Sequence, residues 1–287
     1  MISEAVEGVV FRRPLFGKEI VIVAYTPAKD EAMFILEEAY SEALRLQKIF
    51  NFYDKKSELS ELNRKRKMRV SPELLHVIES ALKVSQETRG KYDITLGKAI
   101  RARKSGENDI KLNTAYTDVE IDGDTISLKS EDAEIDLGSI AKGYITDKIA
   151  EYIWNAGLED FIIDSRGDIL FNGSRKQIVG IEHPREPGKA IAKIVVSDEA
   201  VATSGDYNQF YGSYERSHII NSGDVSSVSV IAKTLEEADA YATAAFVLDR
   251  EGRKKIFEKN KMIKAVVIDK NMNVEKHNGP RMVENGN

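Results

Sequence analysis

Four short stretches of this 287-residue chain carry side chains able to do chemistry. The richest is Asp136-Leu-Gly-Ser-Ile-Ala-Lys-Gly143. A strand ending at Asp136 is expected to feed through Gly138 and Ser139 into a helix over 140–155. The first turn of a helix offers unbonded N–H groups and the positive end of its dipole. Lys142 adds a point charge suited to a phosphate, and Gly143 admits a ligand or a neighbouring segment at close range. The spacing is not that of a P-loop. The stretch reads as a phosphate-binding turn built on Ser139, Lys142 and Gly143; the plainer alternative is a capped helix with an exposed lysine.

The second stretch is Glu237-Ala-Asp239-Ala-Tyr-Ala-Thr243. Asp239 and Thr243 are four residues apart and share one face of an expected helix. Its small residues allow close packing, and a buried carboxylate and hydroxyl need partners. Magnesium would bond to both through oxygen; a local cap and a hydroxyl bond back along the helix would serve equally well. The third stretch is Ala202-Thr-Ser-Gly-Asp-Tyr207, where Ser204, Gly205 and Asp206 suggest a turn with free donors. Downstream, His218 sits between apolar positions and is the best general-base candidate of the four histidines. A structural role for it is equally compatible with the sequence. In the fourth, Tyr53 offers a flat face to an aromatic ring, while Glu58 and Asn63 are able to tie loops together. Tyr92, Asp93 and Thr95 lie in a related short motif.

Composition narrows the classes around these residues. Apolar residues make up 42% of the chain and charged residues 31%, as in ordinary globular proteins. A net charge of −5, from 42 basic and 47 acidic residues, gives no overall attraction to nucleic acid. Without cysteine there are no disulfides, thiolate metal sites or cysteine nucleophiles. No apolar run reaches the ~18 residues of a membrane span, and the N-terminus lacks a signal-peptide pattern. The expected location is cytoplasmic.

The elements that must position these residues follow from periodicity. A strand pair is expected over 6–11 and 20–25, joined through Pro14–Lys18. A helix is expected over 28–50, with Phe34, Ile35, Ala39, Ala43, Leu46 and Ile49 on its buried face. A short capped helix should start at Ser57, and a second long helix at Pro72, capped by Ser71. Residues 100–113 read as irregular, 119–128 as a hairpin, and the segments after 157 as short strands. Helices then follow from Leu235 and near Gly252, with a late strand over 263–268 and a frayed tail. This order is not a βαβ repeat. It argues for an α+β fold with antiparallel or mixed sheets packed with helices. One domain over 1–287 is expected, with any lobe boundary near 90–115.

Taken in order, the motifs resemble the FAD:protein FMN transferase family, also called the ApbE family, over roughly residues 8–270. They run from Tyr53 with Ser57-Glu-Leu-Ser60, through Tyr92–Gly97 and Asp136–Tyr144, to Gly167-Asp168, Val179–Pro184, Ala202–Tyr207, Ser217–Ile220 and Ala238–Thr243. The resemblance implies an ApbE-like fold of two intertwined lobes. It implies an enzyme that splits FAD, moves FMN to a Ser or Thr hydroxyl of an acceptor protein and releases AMP. It further implies Mg²⁺ held by Asp239, Thr243 and the Ala141 carbonyl. Tyr53 would lie against the adenine, Lys142 would sit in the nucleotide-binding motif, and His218 would be the base. Three departures stand out: Asn221-Ser-Gly-Asp replaces an Asp-Pro-x-Thr-Gly run, Ser165-Arg-Gly-Asp168 replaces Gly-Gly-Asp, and a tryptophan before Val179 is missing. They leave room for an FAD-binding or FAD-hydrolysing relative without a protein acceptor.

Overall fold

The computed structural model describes residues 8–107, 110–207, 210–211, 213–217 and 224–283, with 210–211 and 213–217 described by backbone alone. The chain opens with the hairpin β1 (Gly8–Leu15) and β2 (Lys18–Tyr25). Pro14 lies inside β1 rather than in the connection, and the turn is reduced to Phe16 and Gly17. A proline is tolerated there because β1 is an edge strand, with one row of backbone groups unpaired.

Helix α1 (Lys29–Phe50) buries Ile35, Leu36, Ala39, Ala43, Leu46 and Phe50 at helical spacing. Phe34 was expected on that face but is 69% exposed, and Leu36 takes its share of the core. Helix α2 (Glu58–Lys65) starts where the Ser57 hydroxyl accepts the Ser60 N–H at 3.0 Å. The short strand β3 (Lys67–Arg69) leads to α3 (Pro72–Glu87), capped by Ser71 with Pro72 in its first turn. Helix α4 (Gly97–Lys104) replaces the irregular segment expected from residue 100. Lys98, Arg101, Arg103 and Lys104 are good helix formers. They leave no apolar stripe to read, because α4 buries only Gly97, Ala102 and Arg103.

The hairpin β4 (Val119–Asp122) and β5 (Thr125–Leu128) joins β3 in a three-stranded sheet. The segment ending at Asp136 is no regular strand; it is held by a bridge between Leu96 and Glu134. The Asn63 side chain replaces a neighbouring strand for it. Its amide donates to the Ile135 carbonyl at 2.8 Å and its oxygen accepts the Ile135 N–H at 2.7 Å. Helix α5 (Ala141–Asn155) follows.

The remainder contributes β6 (Phe161–Ser165), β7 (Asp168–Asn172), β8 (Gln177–Glu182), β9 (Ala190–Val196) and β10 (Ala200–Gly205). A short pair, β11 (Phe210–Tyr211) and β12 (Ser213–Ser217), precedes β13 (Val225–Ala232). Helices α6 (Leu235–Val247) and α7 (Arg250–Lys259) are followed by β14 (Lys264–Asp269) and β15 (Val274–His277). β15 lies near the tail expected to fray; pairing with β14 holds it.

The central sheet has eight strands in the order β1-β2-β6-β7-β10-β13-β14-β15, every neighbouring pair antiparallel. Together with the helices this makes an α+β fold. α6 packs on β10 and β13 and against α5, while α1 packs on α5 and β1. A smaller apolar cluster, including Phe171, Ile181, Ile194 and Ile268, joins the β8–β9 hairpin to the sheet.

Two contacts between α5 and α6 fix the heart of the molecule. A Cβ on Gly143 would lie 2.4 Å from the Leu235 carbonyl oxygen, so only glycine permits this approach. One turn on, the Asp147 carboxylate accepts the Leu235 and Glu236 N–H groups, both at 2.8 Å, and so caps α6 from a neighbouring helix.

Burial pushes the Asp147 carboxyl up to about 7, against the pull of those two N–H bonds. The folded chain therefore holds this proton at pH values where the unfolded chain, with an ordinary carboxyl near 3.8, has lost it. Its contribution to stability is full below about pH 4 and is lost as pH rises through about 7. Urea unfolding of the native chain and of Asp147→Asn from pH 5 to 8 should show a steeper fall with pH in the native chain. Parallel curves would remove Asp147 as the titrating group.

Candidate active site

A cavity of about 860 Å³ opens between the first hairpin, the loop after α1, the start of α5, and α6. Ser139, Ala141, Lys142, Ser204, Asp239, Thr243 and Tyr53 all line it, so the fold brings together seven positions scattered over the sequence. Lys142 stands at its floor. Its ammonium forms an ion pair with Asp168 and lies 3.5 Å from Asp239 Oδ2. Burial draws its pKa down, and Asp239 opposes that shift. Asp168 is fixed in turn by accepting the Thr203 N–H at 3.0 Å.

Asp239 also accepts the Gly143 N–H at 3.3 Å, across the contact that glycine makes available. The Thr243 hydroxyl is 3.1 Å from that of Ser204, which orients both. Asp239, Thr243 and the Ala141 carbonyl are hard oxygen donors of the kind magnesium takes. Among the described residues no three His, Cys, Asp or Glu side chains cluster closely enough to hold a metal ion by themselves.

The helix start is less open than the sequence suggests. The Ala141 N–H is taken by the Leu137 carbonyl at 2.9 Å, and that of Gly143 by Asp239. Ser139 is no cap; its hydroxyl pairs with the buried Tyr92 hydroxyl at 2.8 Å. Gly143 does not line the cavity, and its role is helix packing. Asp136 accepts the Gly138 N–H at 2.7 Å and is pushed up by burial at the cavity wall. Glu58 accepts from the Ser71 N–H and hydroxyl, so it and Asn63 tie loops together.

Asp206 lies elsewhere. It is fully buried beyond the end of β10, gripped by Arg185 through two 2.8 Å bonds and by Lys270 at 2.6 Å. The expected turn with free donors is instead strand β10, paired with β13, and the Asp206 N–H donates to the Ser226 carbonyl. His218 lies outside the described residues.

Tyr53 also lines the cavity, half exposed and edge-on to Phe52, with ring centroids 5.2 Å apart. The Lys104 ammonium sits 3.5 Å from the centre of its ring. Two hairpin turns form another wall. Phe16-Gly17 closes β1 to β2, and Arg166-Gly167 closes β6 to β7. Phe16 and Arg166 are both left-handed, at φ 53° and 63°. For residues other than glycine this costs of order 1–3 kcal/mol each. Sequence reasoning quoted Gly167-Asp168 among the motifs of the resemblance but gave Asp168, the partner of Lys142, no role in the site.

The ApbE family model matches residues 16–267. The FAD:protein FMN transferase of Vibrio cholerae is 28% identical over 246 residues, covering 75% of this chain and 74% of that protein. The Treponema pallidum protein of the same name is 34% identical over 149 residues, covering 44% and 41%. Among solved structures, the ApbE protein of Thermotoga maritima matches with a TM-score of 0.83 at 23% identity, over 94% of this chain and 97% of that one. The flavin transferase ApbE from Vibrio cholerae matches with a TM-score of 0.78 at 24% identity, over 96% and 97%. These structural likenesses extend over nearly the whole α+β architecture. With the family model spanning most of its length, this chain belongs to the ApbE family.

Proposed function

We propose that this chain moves FMN from FAD to a Ser or Thr hydroxyl of an acceptor protein, with Mg²⁺ required and AMP released. The observation that supports it most is the convergence of Asp239, Thr243, Ala141 and Lys142 on one cavity that an aromatic ring, Tyr53, also lines. Asp239, Thr243 and the Ala141 carbonyl would hold the metal. One carboxylate is enough for magnesium when water and ligand phosphates complete its shell. When bound, the ion would neutralise charge on the diphosphate and fix its orientation.

The chain's own residues supply the rest. Tyr53 offers its face to the adenine, and Ser204 holds the Thr243 hydroxyl in place. Lys142, charge-paired at the floor, keeps Asp239 and Asp168 from repelling each other and the incoming phosphates. His218 takes the proton as the acceptor oxygen attacks the FMN-side phosphorus. A new phosphodiester bond forms, the bridging P–O bond breaks, and AMP leaves with its electrons. Positioning and electrostatics carry most of the rate. A cytoplasmic location belongs to this reading and rests on the sequence; among the described residues no helix is long and apolar enough to cross a membrane.

The test is chromatographic measurement of AMP and FMN released from FAD, with and without Mg²⁺. Release that requires Mg²⁺ is expected. Release without a flavinylated product would favour hydrolysis. Neither release nor retained FAD at high concentration would overturn the reading.

A further inference from the structure

We propose that Arg166 is a ligand-facing cation of this cavity beside Lys142 and contacts the diphosphate of the bound nucleotide; the proposal rests on the functional reading above. Lys142 alone does not supply the positive charge that such a ligand needs. Its ammonium is matched by Asp168 and lies close to Asp239, so these three groups together leave the floor with a net negative charge. Arg166, two residues before Asp168, lines the cavity and adds positive charge next to these groups, while Lys18, Lys91 and Lys104 lie elsewhere in the lining.

Three features set Arg166 apart from an ordinary surface arginine. It occupies the first position of a two-residue hairpin turn with both central residues left-handed, at φ 63° and 92°. Asn or Gly suits that position, and a long cationic side chain there is held against the backbone's preference. One guanidinium nitrogen donates to the Phe16 carbonyl at 2.7 Å, which ties the two turns and fixes where the planar head stands. Among the described residues, no carboxylate lies within ion-pair distance of it, and the residue lines the cavity. A guanidinium fork is the group best matched to two phosphate oxygens. Its field also reaches the floor, where it adds to the downward shift of Lys142. A packing role does not account for it, because Arg166 is exposed.

Arg166→Asn removes the charge while suiting the turn, so its melting temperature should equal or exceed that of the native chain. Equilibrium binding of FAD and of ADP is measured for both proteins, with Mg²⁺, at two salt concentrations. The variant should bind both ligands at least tenfold more weakly and with a smaller dependence on salt. Arg166→Lys should fall between. Equal affinity in Arg166→Asn, or a loss with the salt dependence unchanged, would overturn the assignment while leaving the functional reading standing. If the native chain binds neither ligand, that reading fails and the role of Arg166 goes with it.

Discussion

Asp239→Asn should cut AMP release from FAD roughly a thousandfold, with the chain still folded. The size follows from the several kcal/mol of charge stabilisation that a bound divalent ion supplies, at about 1.4 kcal/mol per factor of ten. Asn keeps an oxygen for the Gly143 N–H, which Asp239 accepts at 3.3 Å, so the α5–α6 contact survives. It removes the negative charge that faces Lys142 at 3.5 Å. Circular dichroism on the same sample separates loss of chemistry from loss of fold. A folded variant that releases AMP at the native rate would refute the role of Asp239.

Gly143→Ala should destabilise the chain and weaken FAD binding together. In a helix interior the change alone would favour Ala by about 1 kcal/mol. Here the new methyl would stand 2.4 Å, 2.6 Å and 2.7 Å from Leu235 O, Leu235 C and Glu236 Cα. Ordinary carbon contacts lie at about 3.5–4.0 Å, so α5 and α6 must separate by roughly 1 Å. Overpacking of this kind costs about 1–3 kcal/mol and outweighs the propensity gain when the neighbour is backbone. Because Asp239 and Thr243 ride on α6 and Lys142 on α5, the separation also spoils the floor. Thermal unfolding should shift down by several degrees, and FAD affinity should drop. An unchanged melting temperature with unchanged affinity would show that the helices absorb the methyl.

The parts that were legible in the sequence have local causes. Ser71 before Pro72, and Ser57 before Glu58, announce helix starts because capping needs only neighbouring residues. The Asp122-Gly123-Asp124 turn announces its hairpin for the same reason. Asp239 and Thr243 were legible as a pair because helical spacing alone puts them on one face. What escaped depends on distant partners. Asp206 sits in a motif beside Ser204, yet its carboxylate is claimed by Arg185 and Lys270, which nothing near it in sequence reveals. Gly143 was readable as a close approach, but whether to a ligand or to Leu235 depends on where α6 packs. Helix α4 was missed because it faces solvent with charged residues and leaves no apolar rhythm.

The cavity draws Phe16 from the first hairpin, Tyr53 from the loop after α1, Lys142 from α5, Arg166 from a turn in the central sheet, and Thr243 from α6. Adjacent strands such as β2 and β6 join residues well over a hundred positions apart. The α5–α6 pair alone carries Ala141, Lys142, Asp239 and Thr243, but the two helices are far apart in the chain, so even this part of the site waits for a long loop to close. Loop closures of that span form late in folding and slowly. A nucleotide added during refolding should therefore leave the folding rate unchanged and slow only unfolding, acting as a lock on the finished molecule rather than a template for it.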